Sequence, residues 1–387
     1  MPKVTVQFFD TTLRDGAQSL PARHQFPAGS KPRIAKQIAQ LGTNVIEAGF
    51  PATPEDAAEV MAVAKSVGQA SFTTSAWDAT GNASQTEFTP IIAGLSRAVR
   101  ADIDATWQAI KSAKYPRIHT FVSTSDFHRQ NKFPGVSRDG LIDIAVNAVA
   151  YAKEVSADHP GASIEFSAEA ASTTDPIYLK QVIESAITAG ADVVNMPDTV
   201  GERDPIWMRD FYHDVISWTK AASNSIVVSA HNHNDLGNAV TNSFMLVRVA
   251  SEYAKQAKDD ITIQIEATIC GLGERAGNAD MFAVMGNLFK FAEDLGVDIE
   301  WQFSPSRSVA AAHSVMQAAG FHVDRQQPIV GSDTNVHRSG IHSDGVIKGG
   351  HSMYTPFDPT FWGHQQQAVH EDGKYQGKAG RQAAMAR

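Results

Sequence analysis

Short runs rich in β-branched and aromatic residues recur along the chain, each followed by a longer stretch whose apolar residues return at helical spacing. Eight such runs are read as strands: 4–10, 45–50, 71–76, 118–123, 163–168, 193–197, 226–231 and 261–267. Between them lie amphipathic stretches such as 33–41, with Ile34, Ile38 and Leu41 on one face, and 141–153, with Ile142, Val146 and Val149 on one face. Strand followed by helix, eight times over, predicts an α/β chain with a closed (β/α)8 TIM barrel over residues 1–299. An open doubly wound sheet competes, because periodicity does not show closure, but no strand is followed by the spaced glycines of a dinucleotide fingerprint. From about Glu300 the pattern shifts to a helical segment, 306–319, and then to a Gly/His/Asp-rich stretch, 331–350, that reads as loop. Residues 300–387 are expected to form a C-terminal helical and loop subdomain, and its Gly/Gln/Lys/Ala-rich end, 371–387, to be mobile.

The 387 residues carry 33 Lys and Arg against 42 Asp and Glu, a formal net charge of −9, and 43% of them are hydrophobic. This excludes a disordered chain and supplies no basic stripe, so nucleic acid is not an expected partner. The single cysteine, Cys270, rules out an intramolecular disulfide and a thiolate metal cage, and reads as a packed small hydrophobe. No N-terminal apolar run reads as a signal peptide and no stretch reaches the ~18 apolar residues of a membrane span, so the expected location is the cytoplasm.

Chemistry in such a barrel belongs on the residues just after each strand. Arg14 and Asp15 follow the first, Glu47 ends the second, the fourth offers His119, the fifth is followed by Glu169, the sixth by Asp198 and Thr199, and the seventh by His231 and His233. Residues two apart share a side of a strand, so both imidazoles of His231-Asn232-His233 can face one ion. The alternative for His-x-His alone is a pair of hydrogen-bonded histidines. Strands one and eight are neighbours in a closed barrel, which brings Asp15 and Asn278 to the same place. The resulting Asp, His, His, Asn set, without sulfur, suits Mn²⁺, Mg²⁺ or Zn²⁺. Arg14 reads as a partner of Glu169, as a surface cation or, beside Asp15, as an oxyanion stabiliser. Gly271-x-Gly273 reads as a turn rather than a phosphate loop.

These residues fall into an ordered series: Phe9-Asp10-Thr11-Thr12-Leu13-Arg14-Asp15-Gly16, Glu47-Ala48-Gly49-Phe50-Pro51, His119-Thr120-Phe121, Glu165-Phe166-Ser167, Pro197-Asp198-Thr199-Val200-Gly201, His231-Asn232-His233-Asn234-Asp235-Leu236-Gly237 and Gly273-Glu274-Arg275-Ala276-Gly277-Asn278. With Ser339-Gly340-Ile341-His342-Ser343-Asp344-Gly345 in the tail, the series resembles the 2-isopropylmalate and homocitrate synthase family. The resemblance implies a barrel that joins acetyl-CoA to a 2-oxo acid in a Claisen condensation with a divalent metal held by Asp15, His231, His233 and Asn278. It further implies that Arg14, His119, Ser167 and Thr199 line the oxo-acid pocket, that Glu169 orients Arg14 or joins a proton relay, and that His342 with Tyr354 reaches the active site of a neighbouring subunit in a homodimer. The expected product is 2-isopropylmalate, made from 3-methyl-2-oxobutanoate in leucine biosynthesis. The preference for a branched aliphatic oxo acid rests on the apolar and hydroxyl groups of 72–77, read as the end of the third strand.

The chain departs from the family pattern at Ala17 and Ala170, where acids are usual, and in an insertion around 80–92. Too little sequence follows Gly363 for the leucine-binding regulatory domain of longer relatives. Homocitrate synthase and other acetyl-CoA-dependent alkylmalate synthases are the nearest alternatives. A lyase of the hydroxymethylglutaryl-CoA type ranks lower, because Cys270 precedes the glycine-rich loop instead of lying within it. A barrel without activity that senses a metabolite is the alternative outside enzymes.

Overall fold

The computed structural model describes residues 1–371, so the expectation for 371–387 lies, past Glu371, outside the described residues. Eight parallel strands pair in chain order: β1 (Lys3–Asp10), β2 (Val45–Glu47), β3 (Ile91–Arg97), β4 (Pro116–Ser123), β5 (Ser163–Glu169), β6 (Val193–Asp198), β7 (Val227–Asn232) and β8 (Ile261–Ala267). β8 then pairs with β1, from Val4 opposite Ile261 to Asp10 opposite Ala267, and this closes the TIM barrel. Covered by helices outside and packed side chains inside, such strands are buried on both faces, and every residue of β6 is buried. Helices begin sharply where a side-chain oxygen caps the first turn and proline follows: Thr53 before Pro54, Asp175 before Pro176 and Asp204 before Pro205.

The third strand differs from the expectation. Residues 71–76 are not in the barrel: Phe72–Asp78 forms an antiparallel hairpin with Ala83–Phe88, and β3 is Ile91–Arg97. Phe72–Asp78 also pairs antiparallel with Asp298–Gln302, which pairs with Lys3, Val4 and Thr5 at the start of β1. The hairpin therefore extends the sheet from the N-terminal end of β1, away from the strand ends that carry the chemistry, and 72–77 do not wall an oxo-acid pocket. In Phe72–Asp78 an exposed Thr73 separates buried Phe72 and Thr74 and the remaining residues are half-buried, whereas the interior of β3 is buried throughout.

The chain packs as two units, Met1–Phe303 and Ser304–Arg387. Asp298–Gln302 thus belongs with the barrel, and the division falls a few residues beyond the expected 299/300. In the second unit the helix expected at 306–319 spans Ser308–Ala318. The stretch expected as loop at 331–350 contains a helix, Gly340–Gly349, which buries Ser343 and Val346 and carries an Asp344–Lys348 ion pair one turn apart. Its glycines conceal it from a reading by propensity. No helix among the described residues is long and apolar enough to cross a membrane.

Candidate active site

The site begins where β1 ends. Asp10 accepts hydrogen bonds from the backbone and hydroxyl of Thr12, and residues Thr12–Gly16 coil into a wide turn. Thr11 steadies that turn, its hydroxyl accepting from the Asp15 N–H at 3.3 Å and donating to Glu47 Oε2 at 2.6 Å. The turn presents Arg14 and Asp15 side by side. Arg14 donates through Nε to Glu47 Oε2 at 2.6 Å and through Nη1 to Asp15 Oδ1 at 3.0 Å. Against the cost of burial, Arg14 and His119 hold the Glu47 carboxyl far below its ordinary range.

Glu47 also anchors a second group. His119 Nδ1 lies 2.7 Å from Glu47 Oε1 and its Nε2 2.7 Å from Ser167 Oγ, which accepts from Asn195 Nδ2 at 2.9 Å. Burial lowers the His119 pKa, but the adjoining Glu47 carboxylate outweighs it and the net shift is upward. Thr199 Oγ1 accepts from the Ala170 N–H at 2.9 Å. Ala170 is a left-handed residue at φ 62° without being glycine.

On β7 the alternation of side chains brings His231 and His233 together, their Nε2 atoms 3.3 Å apart. His231 Nδ1 is 2.7 Å from Glu266 Oε2, and the two residues are opposite each other on β7 and β8. A neutral His231 whose Nδ1–H donates a hydrogen bond to Glu266 has a bare lone pair on Nε2. Burial lowers both histidines to about 4, so both rings are neutral near pH 7. Asp15 Oδ2 accepts from Asn278 Nδ2 at 2.6 Å, and His233 and Asn278 form an isolated β-bridge. Although burial works against it, the Asp15 carboxyl is lowered, chiefly by the Arg14 guanidinium and also by the hydrogen bond from Asn278.

Ligand atoms of Asp15, His231 and His233 all lie within 4.8 Å of one another, and Asn278 Oδ1 is buried with no hydrogen-bond partner in the structure. Two neutral imidazoles, an ionised carboxylate and an amide oxygen without a donor form a set that fits a divalent cation. Beneath it, burial with Glu266 alongside lifts Glu165 to about 7, and burial with Glu47 alongside lifts Glu266 to about 7. Arg117 donates to Glu165 at 3.1 Å and to Gln264 at 2.7 Å, tying this layer together.

Arg14, Asp15, His119, Ser167, Glu169, Thr199 and both histidines border a single cavity of about 250 Å³. Glu169 does not orient Arg14. It is bound by Lys132 Nζ at 2.7 and 2.9 Å and by the Ser123 hydroxyl, and Glu47 takes the place assigned to it at Arg14. His342 and Tyr354 lie in the second unit, their rings stacked at 4.0 Å between centroids and 21° between planes. Glu47 was expected at the mouth as a strand-end group but not as the partner of Arg14 and His119, and Asn195 and Glu266 were not expected there. The available signal was a polar residue interrupting a strand otherwise buried on both faces, as in Ile263-Gln264-Ile265-Glu266.

The HMGL-like family pattern matches residues 5–310. The chain belongs to the HMGL-like family. Among curated relatives, a 2-isopropylmalate synthase of Thermosynechococcus vestitus is 38% identical over 358 residues, covering 89% of this chain and 59% of that protein. The 2-isopropylmalate synthase B of Solanum pennellii is 36% identical over 347 residues, covering 89% of this chain and 51% of that one. Methylthioalkylmalate synthase 1 of Arabidopsis thaliana is 34% identical, covering 89% and 62%. This HMGL-like chain thus spans between half and two thirds of the length of these relatives. Of the solved structures, the HMG-CoA lyase of Bacillus subtilis superposes with a TM-score of 0.61 at 16% identity, covering 84% of this chain and 97% of that one. At that identity the likeness concerns the fold.

Proposed function

We propose that the protein condenses acetyl-CoA with a 2-oxo acid, 3-methyl-2-oxobutanoate being the preferred one, to give 2-isopropylmalate and CoA, as a homodimer in the cytoplasm. The observation that carries this reading is the convergence of Asp15, His231 and His233 on a cavity that also receives Arg14. In the proposal Asp15, His231, His233 and Asn278 hold Mn²⁺, Mg²⁺ or Zn²⁺. When bound, that ion supplies Lewis-acid polarisation of the oxo-acid ketone.

The protein's own groups supply the rest. Arg14 has Nε and Nη1 fixed by Glu47 and Asp15, and no described residue accepts from Nη2, so a planar donor is preset beside the forming alkoxide. His119, Ser167 and Thr199 orient the oxo acid. His342 of a neighbouring subunit, assisted by Tyr354, removes a proton from the acetyl methyl group. The resulting carbon nucleophile attacks the ketone carbon, the ketone oxygen takes up the electron pair, and water then cleaves the thioester to release CoA as a thiol. Glu169, fixed by Lys132 at the cavity wall, is the alternative base.

Substrate choice rests on Leu95, Phe121 and Pro197, apolar residues that border the cavity, while both arginines there are paired with carboxylates. That lining suits an aliphatic side chain better than the second carboxylate of 2-oxoglutarate. The likeness to a methylthioalkylmalate synthase makes a 2-oxo acid with a methylthioalkyl side chain the second reading. A lyase dependent on Cys270 is disfavoured, since burial pushes that thiol well above its ordinary value. Thiol release from acetyl-CoA across a panel of 2-oxo acids tests the proposal. Release with 3-methyl-2-oxobutanoate above all others is expected, and no release with any oxo acid would favour a barrel that binds without turnover.

A further inference from the structure

Three loops meet at one rim of the barrel mouth, following β6, β7 and β8, and a single ion pair joins them. Arg275, in the loop after β8, donates to both oxygens of Asp235, through Nε at 2.8 Å and Nη2 at 2.9 Å, and Nη2 also donates to the Thr199 carbonyl at 2.8 Å. Asp235 lies two residues beyond His233, and Arg275 three residues before Asn278. The guanidinium therefore spans the loops that carry two of the proposed ion ligands and reaches the loop that carries the proposed oxo-acid residue Thr199.

Two further observations show that the junction is built closely. Arg275 adopts a left-handed backbone, φ 57°, which a non-glycine residue holds only when its surroundings enforce it. On the other side of Asp235 sits Gly201, also left-handed, where a Cβ atom would lie 2.6 Å from Asp235 Oδ2 and 2.9 Å from the His233 carbonyl. Backbone bonds continue the seam: Asn234 N–H donates to the Gly277 carbonyl at 2.9 Å, and Ala279 N–H to the Asn232 carbonyl at 3.1 Å. The loops thus approach as closely as glycine permits, and the Asp235–Arg275 pair closes the gap with charge.

We propose that Arg275 is a positioning residue for the ion site: it fixes the loop of His233 against the loop of Asn278, and its grip on Asp235 sets how tightly the ion is held. This rests on the metal reading above. Outer groups that orient ligands commonly control metal affinity by 10–100-fold. Lysine would not substitute, because its point charge cannot make the two-pronged contact with Asp235 while also reaching the Thr199 carbonyl.

The test uses the full chain stripped with chelator, Mn²⁺ titrated by calorimetry, and thermal unfolding of the metal-free proteins. Arg275→Gln and Asp235→Asn should each weaken Mn²⁺ binding on the order of 10–100-fold while leaving metal-free unfolding within a few degrees of wild type. The double substitution should cost little more than either alone, and Arg275→Lys should recover only part of the loss. Wild-type Mn²⁺ affinity in Arg275→Gln would overturn the inference while leaving the ion site standing. A raised KM for the oxo acid with unaltered Mn²⁺ affinity would also overturn it, by making Arg275 a direct substrate contact. Metal-free unfolding lowered in proportion to the affinity loss would reduce the pair to general scaffolding. Absence of Mn²⁺ binding by the wild type would defeat the metal reading itself.

Discussion

The barrel mouth and the C-terminal unit each contribute residues to the proposed chemistry, and the two are built differently. At the mouth the ionisable groups hold one another: the Arg14 side chain is 13% exposed and gripped by Glu47, while His231 rests on Glu266. In the C-terminal unit His342 is exposed and stacks on Tyr354, itself 39% exposed. Gly345 makes room for that tyrosine, because a Cβ there would lie 2.7 Å from its ring. A mouth so constrained is preorganised within one chain, whereas a shaped but solvent-facing His–Tyr pair suits a role that another chain completes. This contrast is compatible with the division of labour between subunits proposed above.

Subunit mixing puts the contrast to its hardest test. His342→Ala should lower kcat by about 10²–10⁴, the usual cost of a lost general base. Mixed with Arg14→Ala subunits, it should regain activity through hybrid sites that hold both intact residues, in a fraction set by random exchange. Verified mixed dimers that stay at background would move proton abstraction to Glu169.

Arg14→Lys examines the rigid side. Loss of the planar fork should lower kcat on the order of 10²–10³. A mutant with wild-type kcat would make the Arg14–Glu47 pair a purely structural contact.

Stability should divide from activity at the opposite end of the barrel. Trp301, 3% exposed, packs edge-on against Phe289 at 5.2 Å, and Phe289 in turn meets Trp77 at 4.9 Å. Trp301→Ala should cost about 3–5 kcal/mol in denaturant unfolding with kcat retained below the transition. A matching fall in kcat would show that the foot and the mouth are coupled.

At Asp10 the expected effect is a slope with pH. Burial raises Asp10 from 3.8 to about 7, so between those values the folded protein keeps a proton that the unfolded chain has lost. Wild-type stability should therefore fall relative to Asp10→Asn as pH rises through that window. A pH-independent difference between the two would mean that Asp10 is ionised in the fold.

The legibility of these features in the sequence followed the range of the interactions behind them. Asp15, His231, His233 and Asn278 were readable because strand alternation and barrel closure dictate their convergence once strands are located. β3 was misplaced because Phe72–Asp78 has the β-branched and aromatic content of a strand, while the uninterrupted Ile91-Ile92-Ala93-Gly94-Leu95 run was the mark of a strand covered on both faces. Glu47 as the partner of Arg14 lies 33 residues away across β1 and β2, a pairing that no local pattern encodes. Helix Gly340–Gly349 was hidden because tertiary burial of Val346, rather than propensity, holds it.

If Asp15, His231, His233 and Asn278 hold an ion as proposed, turnover depends on it. Protein stripped with chelator should release no thiol from acetyl-CoA in the presence of 3-methyl-2-oxobutanoate, and added Mn²⁺ or Mg²⁺ should restore release in the wild type. In His233→Ala, whose fold should persist on its barrel core, restoration should fail at the same metal concentration. Full thiol release by stripped protein verified to contain no bound metal would contradict the account.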